Sequence, residues 1–213
     1  LGVISPSGEM IFPDMQMIIF SEHILKKNPN SKIVFDVKCS KLLEEAILKY
    51  KGTPIMSKTG HTFIKSMIRE NNAILGGEMS GHIFFNDRWP GFDDGVYAGA
   101  RILEILSESE GTDIFNALPK LISTPEINIK TTDEDKFTII DEFKRICNFE
   151  DGKIIEIDGI RVEFGNGWGL LRASNTSPVL VLRFEAQNSK SLTDIKEQFK
   201  DTLKKIDSSL TDF

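Results

Sequence analysis

From Pro13 to Ser109 the chain alternates segments of helical period with short apolar runs of strand character, and that alternation commits it to a layered α/β unit on a largely parallel sheet. The spacing predicts helices over residues 13–27, 41–49, 62–70 and 95–107, and strands over 32–37, 53–56, 73–75 and 82–85. Pro13 suits a first helical position, because the N–H it lacks would have no partner there. Near Gly111 the pattern changes. Residues 122–130, 153–157, 160–163, 167–171 and 179–185 read as strands, with helices over 134–147 and 192–206. Asp158-Gly159 between two apolar runs is a hairpin signal, since Gly takes positive φ without a Cβ clash. The expected architecture is an α/β domain with a mixed sheet over 1–115, then an α+β domain over 116–213, an antiparallel sheet with helices on one face. The boundary is expected between Gly111 and Leu121.

Composition limits what such a chain can do. At 213 residues, two domains are the better expectation. Lys and Arg number 26 against 32 Asp and Glu, so no broad basic field exists to hold nucleic acid, and any bound anion must be gripped locally. The two cysteines, Cys39 and Cys147, lie far apart without CxxC spacing, which points to reduced thiols rather than a disulfide framework or a zinc site. No apolar run approaches the roughly 20 residues of a membrane span, and the N-terminus shows no signal pattern. A cytoplasmic protein is expected. Three histidines with no carboxylates at metal spacing give metal ligation no support, and no Ser-His-Asp arrangement can be argued. Leu1-Gly2-Val3-Ile4-Ser5 reads as a strand already under way before a Pro6-Ser7-Gly8 turn, so the start is expected to be a cut edge.

Two segments concentrate chemistry. Gly76-Gly77-Glu78-Met79-Ser80-Gly81-His82 follows an apolar strand, which puts it at the C-terminal edge of a sheet, where open α/β folds bind ligands. Glu78, Ser80 and His82 offer neighbouring acceptors and donors for vicinal hydroxyls, among glycines that allow close backbone approach. From spacing alone, a polar turn with a chance His fits equally well. Leu171-Arg172-Ala173-Ser174-Asn175-Thr176-Ser177-Pro178 offers an Arg fork, hydroxyls, an amide and turn N–H groups, a compact oxyanion cradle. Turn chemistry by itself accounts for that composition slightly better. Lys38, after the strand at 32–37, and His61, just before the helix at 62–70, lie where a sheet edge or a helix start faces a crevice. Each alone reads as readily as a solvated charge or a packed side chain. Asp93-Asp94 reads as an N-cap, and the acidic run at 133–135 as a solvated helix start.

Taken in order, Asp36-Val37-Lys38-Cys39, Lys58-Thr59-Gly60-His61, Gly77-Glu78-Met79-Ser80-Gly81-His82, Gly91-Phe92-Asp93-Asp94-Gly95 and Arg172-Ala173-Ser174-Asn175-Thr176-Ser177-Pro178 resemble successive motifs of the α-D-phosphohexomutase family, phosphomannomutase/phosphoglucomutase type. The family's enzymes have four domains around one cleft, and the chain resembles the third and fourth, with residues 1–8 resembling the end of the second. The resemblance implies that Glu78 and Ser80 bind sugar hydroxyls, with Met79 and His82 shaping the loop. It places Lys38 and His61 near the transferring phosphate or the sugar, and gives Arg172, Ser174, Asn175 and Thr176 the phosphate that is not transferred. Met79 resembles the phosphomannomutase/phosphoglucomutase branch, where the phosphoglucosamine mutase branch usually carries Gln. The family's phosphoserine loop and its magnesium loop, Asp-Gly-Asp-Gly-Asp-Arg, have no counterpart in this sequence.

By that likeness the chain is a C-terminal fragment of an enzyme interconverting hexose 1-phosphate and hexose 6-phosphate, inactive alone and holding no catalytic or metal residue of its own. Mg2+ and a glucose 1,6-bisphosphate-type activator belong to the intact enzyme. Hexose phosphates and the missing N-terminal domains are the implied partners, with neither nucleic acid nor membrane. The alternatives are a phosphoglucosamine mutase fragment and a stand-alone, non-catalytic sugar-phosphate-binding module.

Overall fold

The computed structural model describes residues 1–109 and 113–213, and the chain falls into two compact units, Leu1–Pro119 and Lys120–Phe213. The boundary expected after residue 115 belongs to a window opening at Gly111, which lies outside the described residues.

The first unit opens with an antiparallel ribbon of β1 (Val3–Ile4) and β2 (Met10–Ile11). It continues through α1 (Pro13–Lys27), β3 (Lys32–Asp36), α2 (Lys41–Lys49), β4 (Thr53–Ser57), α3 (His61–Asn71), β5 (Leu75–Gly77), β6 (Ile83–Phe85), α4 (Gly95–Glu108) and α5 (Asp113–Asn116). The sheet order is β4-β3-β5-β6, with β3 parallel to both neighbours and β6 antiparallel to β5. Successive strand residues face opposite sides. Ile33 and Phe35 join a core with Met17, Phe20, Leu43 and Ile102 from α1, α2 and α4, while Val34 meets Ile64 and Ile68 of α3. A parallel sheet covered on both faces needs such a near-continuous apolar run, and β3 supplies it.

The apolar run at 73–75 predicted a strand there, yet the strand is Leu75–Gly77. The reason is shape. A Cβ on Gly76 would stand 2.6 Å from Ile68 Cδ1, and one on Gly77 2.6 Å from Met17 Sδ. These glycines were expected to admit a ligand; they admit α3 and α1, which lie against the two faces of the strand.

The second unit runs β7 (Ile122–Ser123), β8 (Ile127–Lys130), α6 (Asp135–Ile146), β9 (Lys153–Ile155), β10 (Ile160–Phe164), β11 (Gly167–Ala173), β12 (Val179–Ala186), α7 (Ser189–Lys204) and a closing 3-10 turn at Ser208–Thr211. Its sheet is antiparallel, ordered β9-β10-β11-β12, with β7 and β8 both paired to the outer edge of β12. Phe143 of α6 and Ile195 and Phe199 of α7 pack with Val162, Leu171, Leu182 and Phe184 on one face. The single strand expected over 122–130 is divided, because Pro125 offers no ladder N–H. Thr124 donates its N–H to the Phe184 carbonyl and accepts the Phe184 N–H on its hydroxyl, which carries the chain across the break.

The other face of β10, β11 and β12 carries buried charged residues beside Trp168, Leu170 and Val181. The Arg161 guanidinium carbon lies 3.9 Å from the centroid of the Trp168 ring, Arg161 pairs with Glu163 at 3.1 Å, and Trp168 Nε1 donates to Glu185 at 2.8 Å. Arg161 is 1 % exposed. Its charge is compensated by the carboxylate and the aromatic face rather than by water.

Candidate functional site

Three parallel strands of the first unit end together, since Asp36 stands in register with Ser57 and Phe35 with Gly77. The loops 37–40, 58–60 and 78–82 therefore leave one sheet edge side by side. This is the edge where open α/β sheets take ligands.

The loop after β3 carries Lys38, which is buried, and ends at Ser40. The Ser40 hydroxyl caps α2 by accepting the Leu42 N–H at 3.1 Å, and its own N–H donates to Asp14 Oδ2 at 3.0 Å. The loop after β4 ends at Gly60, the N-cap of α3, held at φ 135°. Having no side chain, Gly60 cannot cap the helix, and Glu78 does so instead: its Oε1 accepts the Gly60 N–H. A carboxylate is favoured at a helix start by the unsatisfied N–H groups there. His61, read from sequence as preceding the helix, is its first residue.

The loop after β5 closes on itself. Glu78 N–H donates to the His82 carbonyl at 2.9 Å, and Gly81 N–H to the Glu78 carbonyl at 3.0 Å. Glu78 is 2 % exposed, and its Oε2 accepts from Ser80 Oγ at 3.2 Å. His82 Nδ1 lies 2.6 Å from Asp93 Oδ2. A carboxylate accepts, so Nδ1 carries a proton and Nε2 is the ring atom a ligand can meet. The His82 and His61 rings stand 5.9 Å apart. Lys38, His61, Glu78, Ser80 and His82, distant in sequence, thus lie at one edge, His61 at the start of α3 and the others on the loops after β3 and β5.

Asp36, Asp93, Asp158 and Lys136 take part although the sequence pattern gives none of them a place among the site residues. Asp36, fully buried, accepts from Met79 N–H and Cys39 Sγ at 3.1 Å each and from Thr59 Oγ1 at 2.9 Å. Its signal was an acid ending the apolar run Ile33-Val34-Phe35. The Asp93-Asp94 pair divides its work: Asp94 caps α4 by accepting from Val96 and Tyr97, while Asp93 orients His82.

In the second unit, Arg172 belongs to β11 rather than to the loop, because its pairing with Val181 extends the strand to Ala173. It is 4 % exposed, and its Nε donates to Asp158 Oδ2 at 2.9 Å. Arg172 Nη2 is buried with no hydrogen-bond partner. An unmet donor on a charged, buried guanidinium is costly. Ser174 Oγ accepts from the N–H groups of Thr176 at 3.4 Å and Ser177 at 3.2 Å, which leaves its O–H free to donate. Asn175 and Thr176 are exposed at the tip. Beneath them Lys136, 4 % exposed, donates to Ser177 O at 3.2 Å and Asp133 Oδ1 at 2.7 Å. The acidic run at 133–135 is exposed at the start of α6, as expected, and Asp133 at its head pairs with the buried Lys136.

Among the described residues, no group of three or more His, Cys, Asp or Glu is placed to hold a metal ion, and no helix is long and apolar enough to cross a membrane.

Residues 12–123 match the family model described as phosphoglucomutase/phosphomannomutase, alpha/beta/alpha domain III, and residues 126–202 match that of the phosphoglucomutase/phosphomannomutase C-terminal domain. The chain is 49% identical over 212 residues to a phosphomannomutase/phosphoglucomutase of Pseudomonas aeruginosa, covering 99% of this chain and 46% of that protein. It is 51% identical over 203 residues to a phosphoglucomutase of Neisseria meningitidis serogroup A, covering 94% and 44%. A crystal structure of a phosphoglucomutase/phosphomannomutase family protein from Burkholderia thailandensis superposes with a TM-score of 0.91 at 44% identity, over 96% of this chain and 44% of that one. The chain therefore spans about half the length of the curated relatives it matches.

Proposed function

Because the chain belongs to the phosphoglucomutase/phosphomannomutase family, we propose that it carries the sugar-recognising and phosphate-holding parts of an enzyme that interconverts hexose 1-phosphate and hexose 6-phosphate. The names of its relatives support this over a phosphoglucosamine mutase. In such a reaction a phosphoryl group held by the enzyme passes to a hexose monophosphate, and the bisphosphate so formed turns round and returns its other phosphate. Catalysis of that kind depends on positioning and electrostatic stabilisation.

In this reading the α/β domain, 1–115, handles the sugar. Glu78 and Ser80 accept from and donate to its hydroxyls, His82 and His61 flank them, and Lys38 supplies a cation at the same edge. The domain over 116–213 holds the phosphate that stays in place, through Arg172, the Ser174 hydroxyl and the Asn175-Thr176 tip. A grip on hydroxyls and phosphate that ignores the anomeric position suits a bisphosphate that must bind in two orientations. Magnesium would neutralise charge on the transferring group, but the described residues offer it no ligand cluster, and no step of this chain is assigned to it. A glucose 1,6-bisphosphate-type activator fits the same grips. The 213-residue chain alone is expected to bind without turnover, and its setting is the cytoplasm, where Cys39 and Cys147 stay free thiols.

The observation that carries the reading is the convergence of three sequence-distant motifs on one sheet edge. Titration of the chain with glucose 1,6-bisphosphate and mannose 6-phosphate, followed by NMR shifts beside an Arg172→Ala variant, tests it. Shifts at loops 78–82 and 172–177, with affinity about tenfold or more lower in the variant, are expected for loss of a charged hydrogen-bond donor. Saturable binding that the variant leaves unchanged would remove Arg172 from the phosphate site.

A further inference from the structure

We infer that Asp36 is the positioning residue of the sugar edge: its buried carboxylate fixes the Glu78 side chain by joining the loops that follow β3, β4 and β5. The inference rests on the functional reading above, in which Glu78 meets the hexose. Its basis is a closed circuit. Asp36 Oδ2 accepts from Thr59 Oγ1 at 2.9 Å, and Thr59 is bonded through the chain to Gly60. Gly60 N–H donates to Glu78 Oε1, and Glu78 leads directly to Met79. Met79 N–H returns to Asp36 Oδ1 at 3.1 Å.

The circuit adds to the Ser80 hydroxyl, which holds Glu78 Oε2 from within its own loop. An isolated Glu has three side-chain torsions, and the Gly60 contact fixes them only while Gly60 and the Glu78 backbone keep their separation. That separation is set from the other side by Asp36, which ends the strand lying between β4 and β5. Asp36 is also fully desolvated, a state a carboxylate tolerates only when hydrogen bonds replace its water. With Cys39 Sγ donating as well at 3.1 Å, all three loops of the edge contribute a donor to one side chain.

The chemistry of the donors predicts which substitutions succeed. Met79 N–H can only donate, whereas the Thr59 hydroxyl can turn to accept. Asn at position 36 can therefore place its carbonyl oxygen toward Met79 and its amide toward Thr59, preserving the circuit without the charge. Ala breaks it at both ends. The loss should fall on hexose recognition and spare the anion grip of the Arg172 loop, which lies in the other unit.

The test is a titration of the full chain with glucose 6-phosphate and, separately, inorganic phosphate, for wild type, D36A, D36N and T59V, together with hydrogen exchange at the Met79 amide. For glucose 6-phosphate, Kd is expected to rise about tenfold in D36A and to recover within about threefold of wild type in D36N. The phosphate Kd should be the same throughout, and Met79 exchange should quicken in D36A alone. Unchanged glucose 6-phosphate binding in D36A, failure of D36N to rescue it, or a parallel loss of phosphate binding overturns the inference. If D36A does not fold, T59V decides: it severs one bond of the circuit and keeps the carboxylate, so an unchanged sugar affinity overturns the inference and a selective loss supports it. A wild-type chain that binds glucose 6-phosphate no better than inorganic phosphate overturns the functional reading itself, and the inference with it.

Discussion

Gly159 sits at φ 74°, and a Cβ there would stand 2.3 Å from the Leu171 carbonyl oxygen and 2.6 Å from Arg172 Cα. Two independent requirements meet at this position, left-handed backbone and direct packing of the hairpin turn on β11. Its neighbour Asp158 is the carboxylate that receives Arg172 Nε. Gly159→Ala is therefore expected to destabilise the second unit by more than the roughly 1–2 kcal/mol of a left-handed residue alone, because the opposing atoms are backbone and cannot rotate away. Urea unfolding read at Trp168, which is fully buried, measures the loss. A midpoint within error of wild type would mean that the turn can move off β11. Sequence gave the turn, since Asp-Gly chemistry is local, but not the partner of Arg172, which lies 14 positions away and is met only once β10 and β11 pair.

At the scale of elements, α4 is tied to the loop after β6 by charge. Arg88 forks onto both oxygens of Glu104, and Arg101 joins from the helix itself, its Nη1 2.8 Å from Asp87 Oδ1. The Arg88 hydrogen bonds hold the Glu104 carboxyl below the ordinary value of 4.5, against a desolvation that would raise it. A carboxyl depressed in the folded state contributes stability that is complete above its unfolded pKa and is lost as pH falls through the lower, folded value. Thermal unfolding of wild type is therefore expected to converge on that of a Glu104→Gln variant as pH drops below about 4, with wild type the more stable at neutral pH. A constant gap between the two from pH 7 to pH 3 would show that the pair contributes nothing that depends on charge. The pair was not legible in sequence, because 16 positions and a helix start intervene. By contrast α4 itself was, and so was Asp94 as its cap, because both depend on residues within one turn.

At the scale of the whole molecule, each unit has its own apolar core, one around Phe20, Phe35 and Phe85 and the other around Phe143, Phe184 and Phe199. A segment with a complete sheet and its own core meets the physical requirement for independent folding. Residues 120–213 expressed alone are expected to unfold in one cooperative transition with native-like circular dichroism; a non-cooperative melt would show that this core is incomplete without the rest of the chain. The amino-acid sequence by itself determined the order of helices and strands, the change from α/β to antiparallel character, the hairpin at Gly159 and the loops that bear Lys38 and Glu78, because periodicity and turn chemistry act between near neighbours. Only the tertiary structure decided that Gly76 and Gly77 serve helix packing, that Asp93 holds His82 and that Asp36 reaches Thr59 and Met79, 23 and 43 positions onward. Those pairings depend on strand order and register, which no local pattern encodes.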